Sequence, residues 1–109
     1  MATNIIENIY LRRNNKIVLQ LRKNGVVQDL ANVTKVRLVC NRHLEFDSSV
    51  DSTAFDWTTV ATQLDIKIGL KNIKEGVYPS VLLIVYDANN TSGIVWSTFD
   101  LTVQDSLID

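Results

Sequence analysis

The feature that most constrains this chain is a hydrophobic period of two. Ile17, Leu19 and Leu21 alternate with Val18, Gln20 and Arg22; Val36, Leu38 and Cys40 alternate with Arg37 and Val39; Leu64, Ile66, Ile68 and Leu70 alternate with Asp65, Lys67 and Gly69. Val95, Phe99, Leu101 and Val103 share a parity interrupted only by Ser97. Successive side chains of a strand point to opposite faces, so each run offers one face to a core and the other to water. The many β-branched residues suit such a surface. No stretch keeps a helical repeat beyond two turns, although 58–65 fits a short helix through Val60, Ala61 and Leu64. The pattern predicts strands at 5–11, 16–22, 26–30, 34–41, 57–60, 63–70, 77–87 and 93–104.

Turn chemistry separates these runs. Asn24-Gly25 suits the two positive-φ positions of a type I′ turn. Lys74-Glu75-Gly76 precedes the strand entered near Tyr78, and 87–93 reads as a longer polar hairpin loop. Segment 47–56 reads as a polar loop, with Phe55 and Trp57 capping the core edge beside it. Pro79 cannot donate to a ladder, which places it at a strand start, an edge or a bulge, with the main pairing beginning after it. Strands spaced about ten residues apart suit a sandwich or a barrel. The expectation is an all-β, two-sheet antiparallel sandwich of about seven to eight strands.

The 109 residues fit one domain, 1–109, with 105–109 as a polar tail. Residues 1–11, with Ile5, Ile6, Ile9, Tyr10 and Leu11, read as a first strand in preference to an arm, because ordering a free arm costs more entropy. A chain this long buries roughly two thirds of its unfolded surface, enough for a core without staples. Eleven basic and 12 acidic residues leave a net charge of −1, which gives no overall attraction to nucleic acid or an anionic membrane. Local basic clusters remain at Arg12, Arg13 and Lys16 and at Arg22 and Lys23. The single cysteine, Cys40, excludes an internal disulfide and a thiolate zinc site, and reads as a small buried hydrophobe. The N-terminus lacks a signal-peptide pattern, and the longest apolar run, Val81 to Tyr86, is too short to span a bilayer. Together these features point to folding in a reducing cytoplasm, where the sequons at Asn32 and Asn90 carry no glycan.

Candidate chemistry is sparse. His43, the only histidine, has Ser48, Ser49, Asp47 and Asp51 near it in sequence but no nucleophile elbow, so it reads as a surface group. Asp47, Asp51 and Asp56 do not match a calcium-loop spacing and read as solvated carboxylates. The glycines at 25, 69, 76 and 93 form no phosphate cradle. No catalytic residue, metal site or cofactor is expected. For contact with a ligand or partner the candidates are Tyr86 and Trp96, which could stand across from each other near the 87–93 loop, with Asn89 and Asn90 in that loop. Core placement is the favoured reading of both aromatics, since large aromatics are mostly buried.

Two resemblances follow from these residues. Glu75-Gly76-Val77-Tyr78 is similar to the tyrosine corner of immunoglobulin-like sandwiches, with Ser80 where antibody domains carry their second Cys. Lys16–Leu21, Asn24-Gly25, 29–36, Gly76-Val77-Tyr78 and Gly93–Val103 together resemble the small β-sandwich domains of tailed-phage virion proteins, such as the N-terminal domain of siphophage upper baseplate proteins. That resemblance implies a non-enzymatic structural subunit of the particle, made in the host bacterial cytoplasm and assembled into the virion. It would act in the baseplate, in the tail, or as a head decoration or accessory protein. Its partners would be other virion proteins and, within the assembly, copies of itself. The alternative is a non-catalytic module binding carbohydrate or a cell-surface ligand through Trp96, Tyr86 and the 87–93 loop.

Overall fold

A computed structural model of the protein describes residues 6–71 and 73–104. In them follow β1 (Ile6–Tyr10), β2 (Ile17–Leu19), β3 (Arg22–Lys23), β4 (Val26–Val27), β5 (Val33–Asn41), β6 (Leu44–Asp47), β7 (Phe55–Asp56), β8 (Leu64–Ile66), β9 (Gly76–Asp87) and β10 (Asn90–Gln104). A single 3-10 turn, Ser52–Ala54, precedes β7. The described chain is all-β. Five strands make the main sheet in the order β1-β10-β9-β5-β6, three make a second in the order β2-β8-β7, and β3 with β4 forms a separate hairpin.

The alternation read from the sequence sets which face of each sheet is dry. Val36, Leu38 and Cys40 of β5 are buried, as are Val81, Leu83 and Val85 of β9 and Phe99, Leu101 and Val103 of β10. Ile17 of β2 and Leu64 and Ile66 of β8 are buried from the second sheet. Residues of both sheets belong to one hydrophobic cluster, so the inner faces share a core. β8 is buried throughout; its polar member, Asp65, accepts hydrogen bonds from Lys16 Nζ and Gln63 Nε2, each at 3.0 Å. A buried carboxylate without such partners would be strongly destabilising.

Several expectations need correction. The main sheet is mixed, because β1 runs parallel to β10, with Ile6 beside Asp100 and Tyr10 beside Gln104. Residues 6–10 thus form an edge strand of the chain's own sheet, while 1–5 and 105–109, including the expected polar tail, lie outside the described residues. β6 is a strand that sequence reading missed. Asn41 pairs with Leu44 across a turn in which the Asn41 side chain accepts from His43 N at 2.8 Å, so a side-chain hydrogen bond replaces the glycine usually sought there. Segment 57–60 is not a strand, because the Asp56 carboxylate accepts from the amides of Thr58 and Thr59 at 2.9 and 3.1 Å and turns the chain. Nor is 58–65 helical; it bends and enters β8. The 63–70 run keeps a ladder only over Leu64–Ile66, and Leu70 is exposed. Asn24 and Gly25 do take positive φ, 53° and 80°, between paired Lys23 and Val26.

The β9–β10 ladder contains three irregularities. Asp87 pairs directly with Asn90, so Ala88-Asn89 is a tight two-residue turn and the expected long loop is absent; the extra residues, 91–93, are absorbed into β10 before Ile94 meets Val85. Trp96 is the unpaired residue between Val95, opposite Ile84, and Ser97, opposite Leu83. Pro79 and Ser80 together oppose Asp100. Pro79 therefore sits in a bulge, and pairing runs on both sides of it: Gly76, Val77 and Tyr78 are already matched to Val103, Thr102 and Leu101. Ser80, at φ 55°, donates its amide to Asp100 Oδ1 at 3.0 Å. The Tyr78 hydroxyl donates to the Lys74 carbonyl at 2.8 Å, the backward bond expected of a tyrosine corner.

Leu38 is fully buried at the centre of β5. Leu38→Ala is expected to cost about 2–5 kcal/mol in urea unfolding, and Tyr78→Phe, which loses one hydrogen bond, about 1 kcal/mol.

Candidate functional site

The outer face of the main sheet starts from the residues that alternate with the core set. On β5 these are Lys35, Arg37 and Val39; on β9, Leu82, Ile84 and Tyr86; on β6, Glu45 and Asp47. Tyr86 lies beside Lys35 across the β5–β9 ladder. It is buried, 7% exposed, yet stands outside the core cluster. Gly93 explains this. It has φ +85°, and a Cβ placed on it would meet Ile84 Cγ2 at 2.5 Å and Tyr86 Cε2 at 2.7 Å. The tyrosine ring thus occupies the space a side chain at 93 would fill, and the strand's bare backbone is covered from the outside.

Polar groups complete the cover. Arg37 Nη1 donates to the Tyr86 hydroxyl oxygen at 2.9 Å, Arg37 Nε donates to Glu45 Oε2 at 2.7 Å, and Lys35 Nζ lies 4.4 Å from the centre of the Tyr86 ring. Lys35 Nζ also stands 3.7 Å from Asp47 Oδ2. The Tyr86 and Glu45 hydrogen bonds hold the Arg37 guanidinium above its ordinary pKa. The arrangement is a fixed aromatic and charged patch whose hydrogen bonds are made within the fold. Sequence reading singled out Tyr86 but missed Lys35 and Arg37. Their alternation with Val36 and Leu38 signalled the outer face, whereas their meeting with Tyr86 depends on a register that one strand's pattern does not contain.

The other sequence candidates do not converge. Trp96 is partly buried and packs against the core cluster, and its bulge position gives it no cross-strand partner, so it does not face Tyr86. Asn89 donates its amide, and Asn90 its side-chain nitrogen, to Asp87 Oδ1 at 2.9 and 3.0 Å, which closes the turn. His43 is exposed in the turn before β6. Cys40 is buried, and burial pushes its thiol up to about 12. The three loop carboxylates each serve a local turn: Asp47 accepts from Ser49, Asp51 from Thr53 and Lys71, Asp56 from Thr58 and Thr59. Among the described residues no three His, Cys, Asp or Glu side chains are grouped to hold a metal ion. Comparison of the chain with family models, with curated proteins and with solved structures gives no match in any of the three.

Two predictions follow from this geometry. Tyr86→Phe keeps the ring over Gly93 and is expected to cost about 1 kcal/mol, whereas Tyr86→Ala uncovers the backbone and is expected to cost about 3 kcal/mol, both measured by urea unfolding. Hydrogen bonds from Lys71 and then Thr53 hold the Asp51 carboxyl down at about 2. Its stabilising effect is present above the ordinary carboxylate range and is lost as pH falls through about 2. An NMR titration of Asp51 should show that low midpoint, and Lys71→Met should return it toward 3.8, the unperturbed value.

Proposed function

We propose that the chain is an immunoglobulin-like two-sheet sandwich serving as a structural subunit of a tailed-phage particle, acting by docking on neighbouring virion proteins and on copies of itself. Strand order supports the fold reading. With β2 in the place of strand B, β5 of C, β6 of C′, β7 of D, β8 of E, β9 of F and β10 of G, the sheets read C′-C-F-G and B-E-D, the partition of immunoglobulin-like sandwiches. The Tyr78 to Lys74 bond stands at the start of the F equivalent. The β3–β4 hairpin is an addition between B and C.

The observation that carries the docking reading is a set of exposed apolar side chains on the main sheet's outer face, interspersed with polar ones. Ile6, Val77 and Val95 are 62%, 67% and 53% exposed, and Tyr10 is 37% exposed. Their registers place all four on the face that also carries Ile84. Among the described residues β1 is an edge strand of that sheet. Exposed apolar side chains and an edge strand are features that subunits of an assembly use to meet neighbours. Light scattering across a concentration series is expected to show a defined oligomer that Val77→Glu with Val95→Glu reduces to monomer. A wild-type monomer at every concentration would contradict self-assembly.

A second reading, a carbohydrate-binding module, is favoured by a groove of about 290 Å³ where Trp57 meets Thr34, Ser48, Ser52 and Asp56. An aromatic wall with hydroxyls is sugar-binding chemistry, and its place is Trp57, away from the Tyr86 patch. Calorimetry with an oligosaccharide panel tests it: binding that Trp57→Ala removes while the fold is retained would favour the module over the subunit.

A further inference from the structure

Among the described residues β1 forms one edge of the main sheet, and one hydrogen bond fixes how its backbone is turned there. Leu11 N donates to the Gln104 carbonyl at 2.9 Å, one residue beyond the Tyr10–Gln104 match that ends the β1–β10 ladder. Peptide groups alternate in direction along a strand, so Glu7 and Ile9 also turn their N–H and C=O toward β10. Those of Ile6, Asn8 and Tyr10 then turn toward the edge. The same three residues carry the exposed side chains of β1, while Ile9 is buried and Glu7 half-buried on the inner face. Gln104 Nε2 donates to Asn8 Oδ1 at 3.2 Å, which ties that side chain back over β10 and off the edge. The Tyr10 carbonyl is engaged by Arg13 N at 3.3 Å, but its N–H is not.

A row of edge N–H and C=O groups is a template for another strand. The sequence of β1 selects which strand fits, an antiparallel copy of itself. A two-fold axis at Asn8 sets Asn8 opposite Asn8, Ile6 opposite Tyr10 and Glu7 opposite Ile9, so all 5 residues are matched. Asn8 then exchanges both main-chain bonds with Asn8 of the copy, and each Tyr10 N–H meets an Ile6 carbonyl. Each Ile6 side chain, 62% exposed, packs on the 37% exposed Tyr10 of the copy. Inner residues meet inner and outer meet outer, so the two main sheets run on as one with their dry faces on the same side. Neighbouring two-fold registers fail. Centring on Glu7 sets two carboxylates directly opposite each other. Centring on Ile9 sets Ile6 opposite Arg12, whose φ of 63° has left the extended region.

We propose that two copies of the chain join antiparallel through β1, about an axis at Asn8. This rests on the docking reading above and names one of its contacts. Pairing of such short strands covers far less than the roughly 1,600 Å² of a stable interface. The edge contact therefore adds to the apolar face contact of Val77 and Val95 and does not replace it.

The test is disulfide capture in the full chain, with light scattering beside it. Cys40 is buried, so the wild-type protein is a clean control. Asn8→Cys under mild oxidation is expected to give a reducible dimer much faster than Val50→Cys, whose 86% exposed site reports chance collision. Asn8→Lys, which sets like charges opposite each other, should lower the oligomer's mass to about half with thermal unfolding unchanged. Cross-linking of Asn8→Cys no faster than Val50→Cys, or an unchanged mass in Asn8→Lys, would overturn the edge contact. If Val77→Glu with Val95→Glu still dissociated the oligomer, the docking reading would stand without it. A wild-type monomer at every concentration would overturn both.

Discussion

The structure depends on β9 being dry on one face along its pairing with two neighbours. It stands between β10 and β5 in the main sheet, and its Val81, Leu83 and Val85 meet the inward residues of both. Because side chains alternate, a slip of one residue would carry this whole set to the outer face and bring Leu82 and Ile84 inward. The two inward sets match only in the observed register: Leu38 opposite Leu83, and Phe99 opposite Val81. The second sheet adds Ile17, Leu64 and Ile66 to the same cluster, so its position is fixed by the face that β9 defines.

The irregularities of β10 reconcile that inward match with the demands of the outer face. A 15-residue strand cannot pair residue for residue with a 12-residue one. The surplus is taken up near the turn, at 91–93, and at Trp96, which leaves Val95 outside and Phe99, Leu101 and Val103 inside. Bulges also increase local twist, which helps a long hairpin coil around a second sheet. Gly93 lets the backbone pass under the Tyr86 ring, and Arg37 then ties that ring to the β5–β6 side of the sheet. The same face therefore has a locked, charged patch at β5 and β6 and exposed apolar side chains among polar ones at β1, β9 and β10.

Alternation made the inward set of β5 legible, and that of β10 except Val95, which shared its parity but faces outward beyond the bulge at Trp96; in β8 it placed Leu64 and Ile66 inward but not Asp65, which is buried too; Asn24-Gly25 marked its hairpin. What the sequence concealed has two physical sources. Local side-chain bonds override strand propensity: Asp56 ends a run that reads as β-forming at Trp57-Thr58-Thr59-Val60, and Asn41 makes a turn where no glycine stands. Pairing partners are set by tertiary register, which a single strand's pattern lacks. That is why the parallel β1–β10 ladder, the bulged Trp96 and the meeting of Arg37 with Tyr86 were not readable. A groove lined by basic residues was half legible. Arg13 and Lys16 lie three residues apart in sequence, while Lys67 and Lys71 join them along one groove where Gly69 admits close backbone approach.

Native-state hydrogen exchange would test the primacy of β9 most directly. If β9 organises the fold, the ladder amides of Val36–Val39 and Leu82–Val85 should exchange only through global unfolding, while those of the β3–β4 hairpin exchange through local opening. Amides of β9 that open as readily as the β3–β4 hairpin, with β2 and β8 still protected, would contradict the account and move the organising element to the second sheet.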